Sequence, residues 1–364
     1  MNPRITILLA GGITGALAVL LVKYGNPPNM GYCIACFLRD IAGSLGLHRA
    51  AAVQYLRPEI PGLVLGAFAA SIFTREFKAL GGSAALTRFV LGFFVMLGLL
   101  VFLGCPLRMI LRMAGGDLNA LVGLLGLVAG VVLGIVFLRR GFSLGRAFVQ
   151  TKANGYIFLG IMVVFLIFLL VRPSFIFFSA EGPGSLRAPL AFALGAGIVV
   201  GFLAQRSRLC LVGGIRDFIL FRDFYLLYGF LAILAVALAG NLILGNFKAG
   251  FAGQPIAHND GLWNFLGMAM GGFGSVLLGG CPLRQLVSAS EGNTDSAVTV
   301  LGFLLGAAFA HNFGLAASPK GVPAGGQVAV VLGLVVVSLI AFFSCRTGVS
   351  KQEVIAGEGD RGSN

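Results

Sequence analysis

The chain has 364 residues, 58% of them hydrophobic and only 11% charged, with mean hydropathy +0.96 and a formal net charge of +13. Soluble domains carry about 25% charged residues, so this composition excludes a soluble globular protein and requires one built to sit in lipid. Its Lys and Arg residues stand singly between apolar runs rather than in one patch, which excludes a nucleic-acid surface and fits positive-inside anchoring and the attraction of anions.

In chain order, apolar runs of about the 20 residues needed to cross a bilayer fall at 4–23, 60–78, 86–104, 119–138, 156–172, 187–205, 224–245, 262–279, 297–313 and 327–344. The first has Arg4 ahead of it, as a signal peptide would. It continues to Val22, however, with no small-x-small cleavage pattern before Asn26-Pro27-Pro28, so it reads as a span. Four shorter pieces lie between the spans, at 30–47, 105–115, 207–222 and 281–292. Each carries Gly, Cys, Arg or Asp that would be costly against lipid. Such backbone survives at membrane depth only inside protein or beside a wet cavity, which predicts re-entrant half-helices. The expected fold is an all-α polytopic membrane protein of about ten transmembrane helices with four re-entrant half-helices. Its many glycines (55) serve close helix packing.

One phrase occurs twice: Gly104-Cys105-Pro106-Leu107-Arg108 and Gly280-Cys281-Pro282-Leu283-Arg284. Upstream of each, a cysteine precedes an Arg-Asp pair at the same spacing, Cys33 before Arg39-Asp40 and Cys210 before Arg216-Asp217. Cys33 and Cys105 are 72 residues apart, Cys210 and Cys281 71. Two phrases repeated in order at nearly equal spacing indicate an internal duplication. Residues 1–140 form repeat 1, 141–186 a linker with one span, 187–314 repeat 2, and 315–364 the last span and a short polar tail, expected without structure after Ser350. Four full spans per repeat and one between them set the second repeat upside down relative to the first, an arrangement that places transporter sites near the midplane. With ten spans both termini share a side, which collects sixteen Lys and Arg against ten and is therefore assigned to the cytoplasm.

The repeated phrase has a readable chemistry. Proline suits the first helical position, which leaves the cysteine at the cap beside unpaired backbone N–H groups and the positive end of the helix dipole. Arg108 or Arg284 follows one turn in, so each half-helix tip is an anion site. Ser or Thr would serve a hard oxyanion better. A thiol is a poor donor to oxygen but a polarisable contact for sulfur or selenium, so the expected ligand is a soft anion such as thiosulfate or a selenium analogue. Cys105 and Cys281 are the central candidates, as neutral thiols passing the anion by weak contacts, with Cys33 and Cys210 flanking and Arg108 and Arg284 attracting. Arg39, Asp40, Arg216 and Asp217 either line the path or form structural ion pairs. Gln285 is a candidate pore donor, as is Gln205. Cys345 has no counterpart and reads as a small buried hydrophobe. His48, His258 and His311 are too scattered for a metal site, and no cofactor motif is present. The alternative class is a membrane thiol–disulfide oxidoreductase, because Cys33-Ile34-Ala35-Cys36 is a C-x-x-C. Against it, Gly213 stands in the second repeat where Cys36 stands in the first.

The doubled Gly-Cys-Pro-Leu-Arg, with Gln205-Arg206-Ser207-Arg208-Leu209-Cys210-Leu211-Val212-Gly213-Gly214-Ile215-Arg216-Asp217 between, resembles the YeeE/YedE family of membrane proteins, and most the YedE branch associated with selenium metabolism. The likeness covers about residues 1–345. It implies a bacterial inner-membrane permease, not an enzyme, taking up sulfur-containing ions through an hourglass of inverted repeats without a bound cofactor. A cytoplasmic sulfur or selenium carrier protein is a candidate partner. The resemblance also implies functional cysteines at Cys105, Cys281 and one of Cys33 or Cys36. Cys210 is additional relative to the thiosulfate branch, which favours a selenium-type substrate.

Overall fold

A computed structural model describes residues 2–359, with the side chains of the last helix described as far as Cys345. The helices are α1 (Pro3–Lys23), α2 (Ile34–Ser44), α3 (Glu59–Phe73), α4 (Ala85–Phe102), α5 (Pro106–Ala114), α6 (Asn119–Arg139), α7 (Lys152–Val171), α8 (Leu190–Ser207), α9 (Leu211–Phe221), α10 (Tyr225–Ile243), α11 (Gly261–Leu277), α12 (Pro282–Ser290), α13 (Thr294–Asn312) and α14 (Ala324–Gly359). The only regular strands among the described residues are two-residue pieces, β1 (Leu80–Gly81) and β2 (Phe148–Val149), which pair antiparallel. The protein is an all-α polytopic membrane protein. Among the described residues, nine helical stretches are long and apolar enough to cross a membrane.

Two boundaries depart from the apolar pattern. The run expected over 60–78 is helical only as α3, because Thr74 caps it and Arg75 takes a left-handed φ of 57°. Its 15 residues reach about 22 Å, short of the ~30 Å hydrocarbon core. At the other end, α14 continues past Ser350 to Gly359, where a structureless tail is expected from composition; residues 360–364 of that tail lie outside the described residues.

The packing repeats with an offset of seven helices. α3 lies along α8 as α10 lies along α1, and α6 lies along α11 as α13 lies along α4. The equivalents α4 and α11 pack on each other and run antiparallel, since Val95 meets Gly274 and Leu99 meets Gly271. At their crossing a β-carbon on Gly98 would come within 2.6 Å of the Gly267 carbonyl oxygen, and one on Gly267 within 2.7 Å of that of Gly98. Only hydrogen fits at either position, which sets the helix separation. The equivalents α1 and α8 are likewise antiparallel, with Tyr24 at the end of one stacked edge-on against Phe192 at the start of the other at 5.0 Å. The two halves are thus inverted relative to each other, and α7 and α14 stand outside the pattern.

The ends of the short helices are tied down in matching ways. The α3–α4 connection donates Lys78 N–H to the carbonyl of Glu291 behind α12 (2.9 Å), and the α10–α11 connection donates Lys248 N–H to that of Gly115 behind α5 (2.9 Å). Each latch therefore comes from the other half. It satisfies carbonyls that a helix end leaves without an internal partner.

Candidate functional site

α4 is capped by Leu103, whose φ is +63°, and α11 is followed by Gly279 at +82°. These left-handed residues break the helix, and the next cysteine caps a new short helix. Cys105 and Cys281 are the N-caps of α5 and α12, extended, with Pro106 and Pro282 in the first turn. Cys33 and Cys210 are the N-caps of α2 and α9, and their sulfurs accept the N–H of Cys36 at 3.3 Å and of Gly213 at 3.2 Å. The Cys105 and Cys281 side chains make no such cap bond, which leaves their thiols free to face a neighbour.

That neighbour is the other capping cysteine of the same half. The Cys33 and Cys105 thiols are electrostatic neighbours. Cys210 Sγ donates to Cys281 Sγ at 3.7 Å and accepts the Cys281 N–H at 3.5 Å. Cys105 and Cys281, expected as central contacts, thus each sit in a separate two-thiol site with the capping cysteine expected to flank it. All four thiols are buried, and no cysteine is disulfide-bonded. The halves meet through their half-helices, α2 packing on α12 and α5 on α9.

The two arginines of the repeated phrase have different surroundings. Arg108 is fully buried. It donates to the carbonyls of Asn29 (3.3 Å), Ile256 (3.1 Å) and Leu103, and its Nη1 lies 3.5 Å from the Cys36 sulfur. No ion pair among the described residues includes it. Arg284 is instead paired with Glu291 at 3.0 Å. Glu291 also holds Arg208 at 2.6 Å, and Arg208 reaches Glu76 at 2.9 Å. The expectation that Arg284 presents a free charge does not match this geometry: Glu291, just past the end of its own helix, neutralises it. Glu76 lies in the loop after α3. Burial pushes its carboxyl up, but the hydrogen bond from Gln205 and the charge of Arg208 outweigh that and hold it below its ordinary value of 4.5.

The other sequence candidates resolve as follows. Asp40 is buried between Arg39 (2.7 Å) and Arg57 (2.8 Å), whereas Arg216 and Asp217 form a part-exposed pair at 2.8 Å. Gln285 donates to the Leu278 carbonyl at 3.0 Å, and its buried Oε1 has no partner. Cys36 faces Arg108, and Cys345 bonds the Phe137 carbonyl at 3.6 Å. His48 and His311, far apart in sequence, stack at 4.7 Å. Between the ends of α1 and α10 lies a cavity of about 280 Å³, lined by Pro28, Asn29, Gly31, Leu111, Asn241 and Asn246 among others. It borders the Asn29 backbone that Arg108 holds. The Arg208–Glu291–Arg284 cluster lies at the opposite face, by the end of α8.

Several residues escape sequence reasoning. Arg57 and Arg112 enter the sequence reading only in the count of basic residues on one side, yet both are fully buried, Arg112 against Asp117 (2.6 Å) and over the Phe102 ring (4.3 Å). Glu59, Tyr32, Glu76 and Glu291 fall in no repeated phrase. The one available signal is Glu59, an acid opening an apolar run directly after Pro58.

Comparison with known proteins agrees with this picture. Residues 206–353 match the family model described as sulphur transport. The thiosulfate transporter TsuA of Escherichia coli (strain K12) is 30% identical over 113 residues, a match spanning 30% of this chain and 30% of that relative. The matched family segment takes in Cys210, Cys281 and Arg284 and so covers the second thiol pair. What the chain shares with the sulphur-transport family thus lies in residues 206–353, the part that carries its second capping-cysteine pair.

Proposed function

We propose that the protein is an inner-membrane permease that takes up a soft sulfur- or selenium-containing anion, thiosulfate or a close analogue, past the two thiol pairs in turn. The observation that carries the reading is a buried guanidinium, Arg108, without a carboxylate, at a half-helix tip whose cap is a thiol. A charge at membrane depth costs about 2.5–3.5 kcal/mol or more, and an anion drawn in beside it offsets part of that. Sulfur at the contact, rather than hydroxyl, favours a polarisable guest. The repeats at 1–140 and 187–314 would each supply one pair, Cys33 with Cys105 and Cys210 with Cys281. The cavity beside Asn29 would be the entrance. Of the ten basic residues assigned to the non-cytoplasmic side, Arg39, Arg57, Arg108 and Arg112 are buried in the interior. Setting these aside widens the bias that places both termini in the cytoplasm, where a sulfur or selenium carrier protein would collect the product. The thiol–disulfide alternative is weakened because Cys36 has only Gly213 as its equivalent in the second half.

The test is uptake of labelled thiosulfate, and separately of labelled selenium anions, by cells that depend on this protein. Cys105→Ala and Cys281→Ala are each expected to lower uptake at least about tenfold, a barrier increase of about 1.4 kcal/mol. Unchanged uptake in both variants would remove the thiol path.

A further inference from the structure

We propose that Glu59 is a proton-binding site that couples anion entry at the Cys33–Cys105 pair to entry of a proton; this rests on the permease reading above. Glu59 opens α3 and is buried, with 1% of its surface exposed. Its Oε1 accepts from Asn26 Nδ2 at 2.7 Å, while its Oε2 is sealed off without a hydrogen-bond partner. No ion pair among the described residues includes it. The buried hydroxyl of Tyr32, adjacent in sequence to Cys33, also lacks a partner and is an electrostatic neighbour of Glu59. Asn26 bridges the two regions, since the same Nδ2 donates to the Gly31 carbonyl at 3.2 Å, two residues ahead of Cys33. The cavity lined by Pro28, Asn29 and Gly31 borders that loop.

A carboxylate at membrane depth with one donor and one orphaned oxygen is costly as an anion and inexpensive as an acid, because the added proton removes the charge. Its surroundings make that proton count. Facing Glu59 are Tyr32, Asp40 on α2, Tyr55, and Arg57 from the turn before α3. Arg172 after α7 and Arg187 before α8 reach as far as Tyr55, while Arg284 of α12 is occupied with Glu291 near Glu76, at the far end of α3. Asp40 is shared by two cations, Arg39 and Arg57, so that triad carries one excess positive charge. Ionised, Glu59 cancels it. Protonated, it leaves the region net positive, in addition to Arg108. An anion arriving at Cys33 and Cys105 therefore favours protonated Glu59, and by linkage a proton on Glu59 favours the anion. Positive coupling of this kind is what symport requires.

The experiment uses the full-length protein in proteoliposomes with labelled thiosulfate outside and a trapped pH-sensitive dye inside. For one proton per anion, wild-type accumulation rises about tenfold for each pH unit of inside-alkaline gradient, because each unit adds a tenfold factor to the equilibrium ratio. Added thiosulfate acidifies the lumen. E59Q, fixed in the neutral form, still equilibrates thiosulfate but ignores the gradient and carries no protons. Wild-type uptake indifferent to the gradient, or without lumenal acidification, overturns the proposal and leaves the permease reading standing. So does gradient-driven accumulation by E59Q, or complete loss of flux in a folded E59Q. If E59Q does not fold, lumenal acidification in the wild type decides. Wild-type protein that moves no sulfur or selenium anion removes the permease reading itself.

Discussion

At the scale of single residues, the two arginines of the repeated phrase are chemically identical and electrostatically unequal. Arg108 spends its N–H groups on carbonyls and the Cys36 sulfur and keeps its charge, while Arg284 gives its charge to Glu291. Replacing the first removes an uncompensated cation; replacing the second removes one already balanced. R108M is therefore expected to raise the KM for thiosulfate about tenfold, about 1.4 kcal/mol of lost attraction. R284M should change it by less than about threefold on the same scale. Initial uptake rates over a range of substrate concentrations check this, and equal effects of the two substitutions would refute the distinction. The capping cysteines were legible because a motif said twice advertises itself. The charge balance was not, since Glu291 and Glu76 reach the arginines only after loops and half-helices fold back, and nothing local in the sequence marks that approach.

At the scale of elements, the helix ends carry the information that hydropathy misses. Apolar pattern located the spans and the half-helices to within a few residues, and the Pro-after-Cys signature placed the starts of α5 and α12. It could not show that α3 stops at Phe73, because the residues that stop it, Thr74 and Arg75, act through capping and backbone conformation rather than hydrophobicity. The loop that follows is fastened to the end of α8 by Glu76 through Gln205 and Arg208. The Glu76 carboxyl is held below 4.5 when folded, so the fastening is complete above that pH and is lost as pH falls through the lower folded value. Hydrogen exchange of residues 74–79 should accordingly stay slow at neutral pH and accelerate only below about pH 4.5, and Glu76→Gln should abolish that pH dependence. Acceleration already at pH 6 would contradict the assignment.

At the scale of the whole molecule, the inversion was readable by counting crossings, but the identity of the packing partners was not. The close pairs are α1 with α10, α3 with α8, α4 with α13, and α6 with α11, each joining one half to the other. The α4–α11 crossing is the tightest test of that design. Gly98→Leu forces a side chain into the Gly267 backbone, and overpacking of this kind costs about 1–3 kcal/mol. A fall in melting temperature in detergent measures it, with Gly160→Leu, whose β-carbon would meet nothing within 4 Å, as the neutral comparison. Because the close partners always come from opposite halves, neither half owns an interior. While the chain is still being synthesised, Arg39, Arg57, Arg108 and Arg112 must wait beside lipid or the insertion machinery until α8 to α13 arrive to enclose them. The first half of this protein is thus, for a time, an unfinished client whose safe passage into the bilayer depends on what the ribosome has yet to deliver.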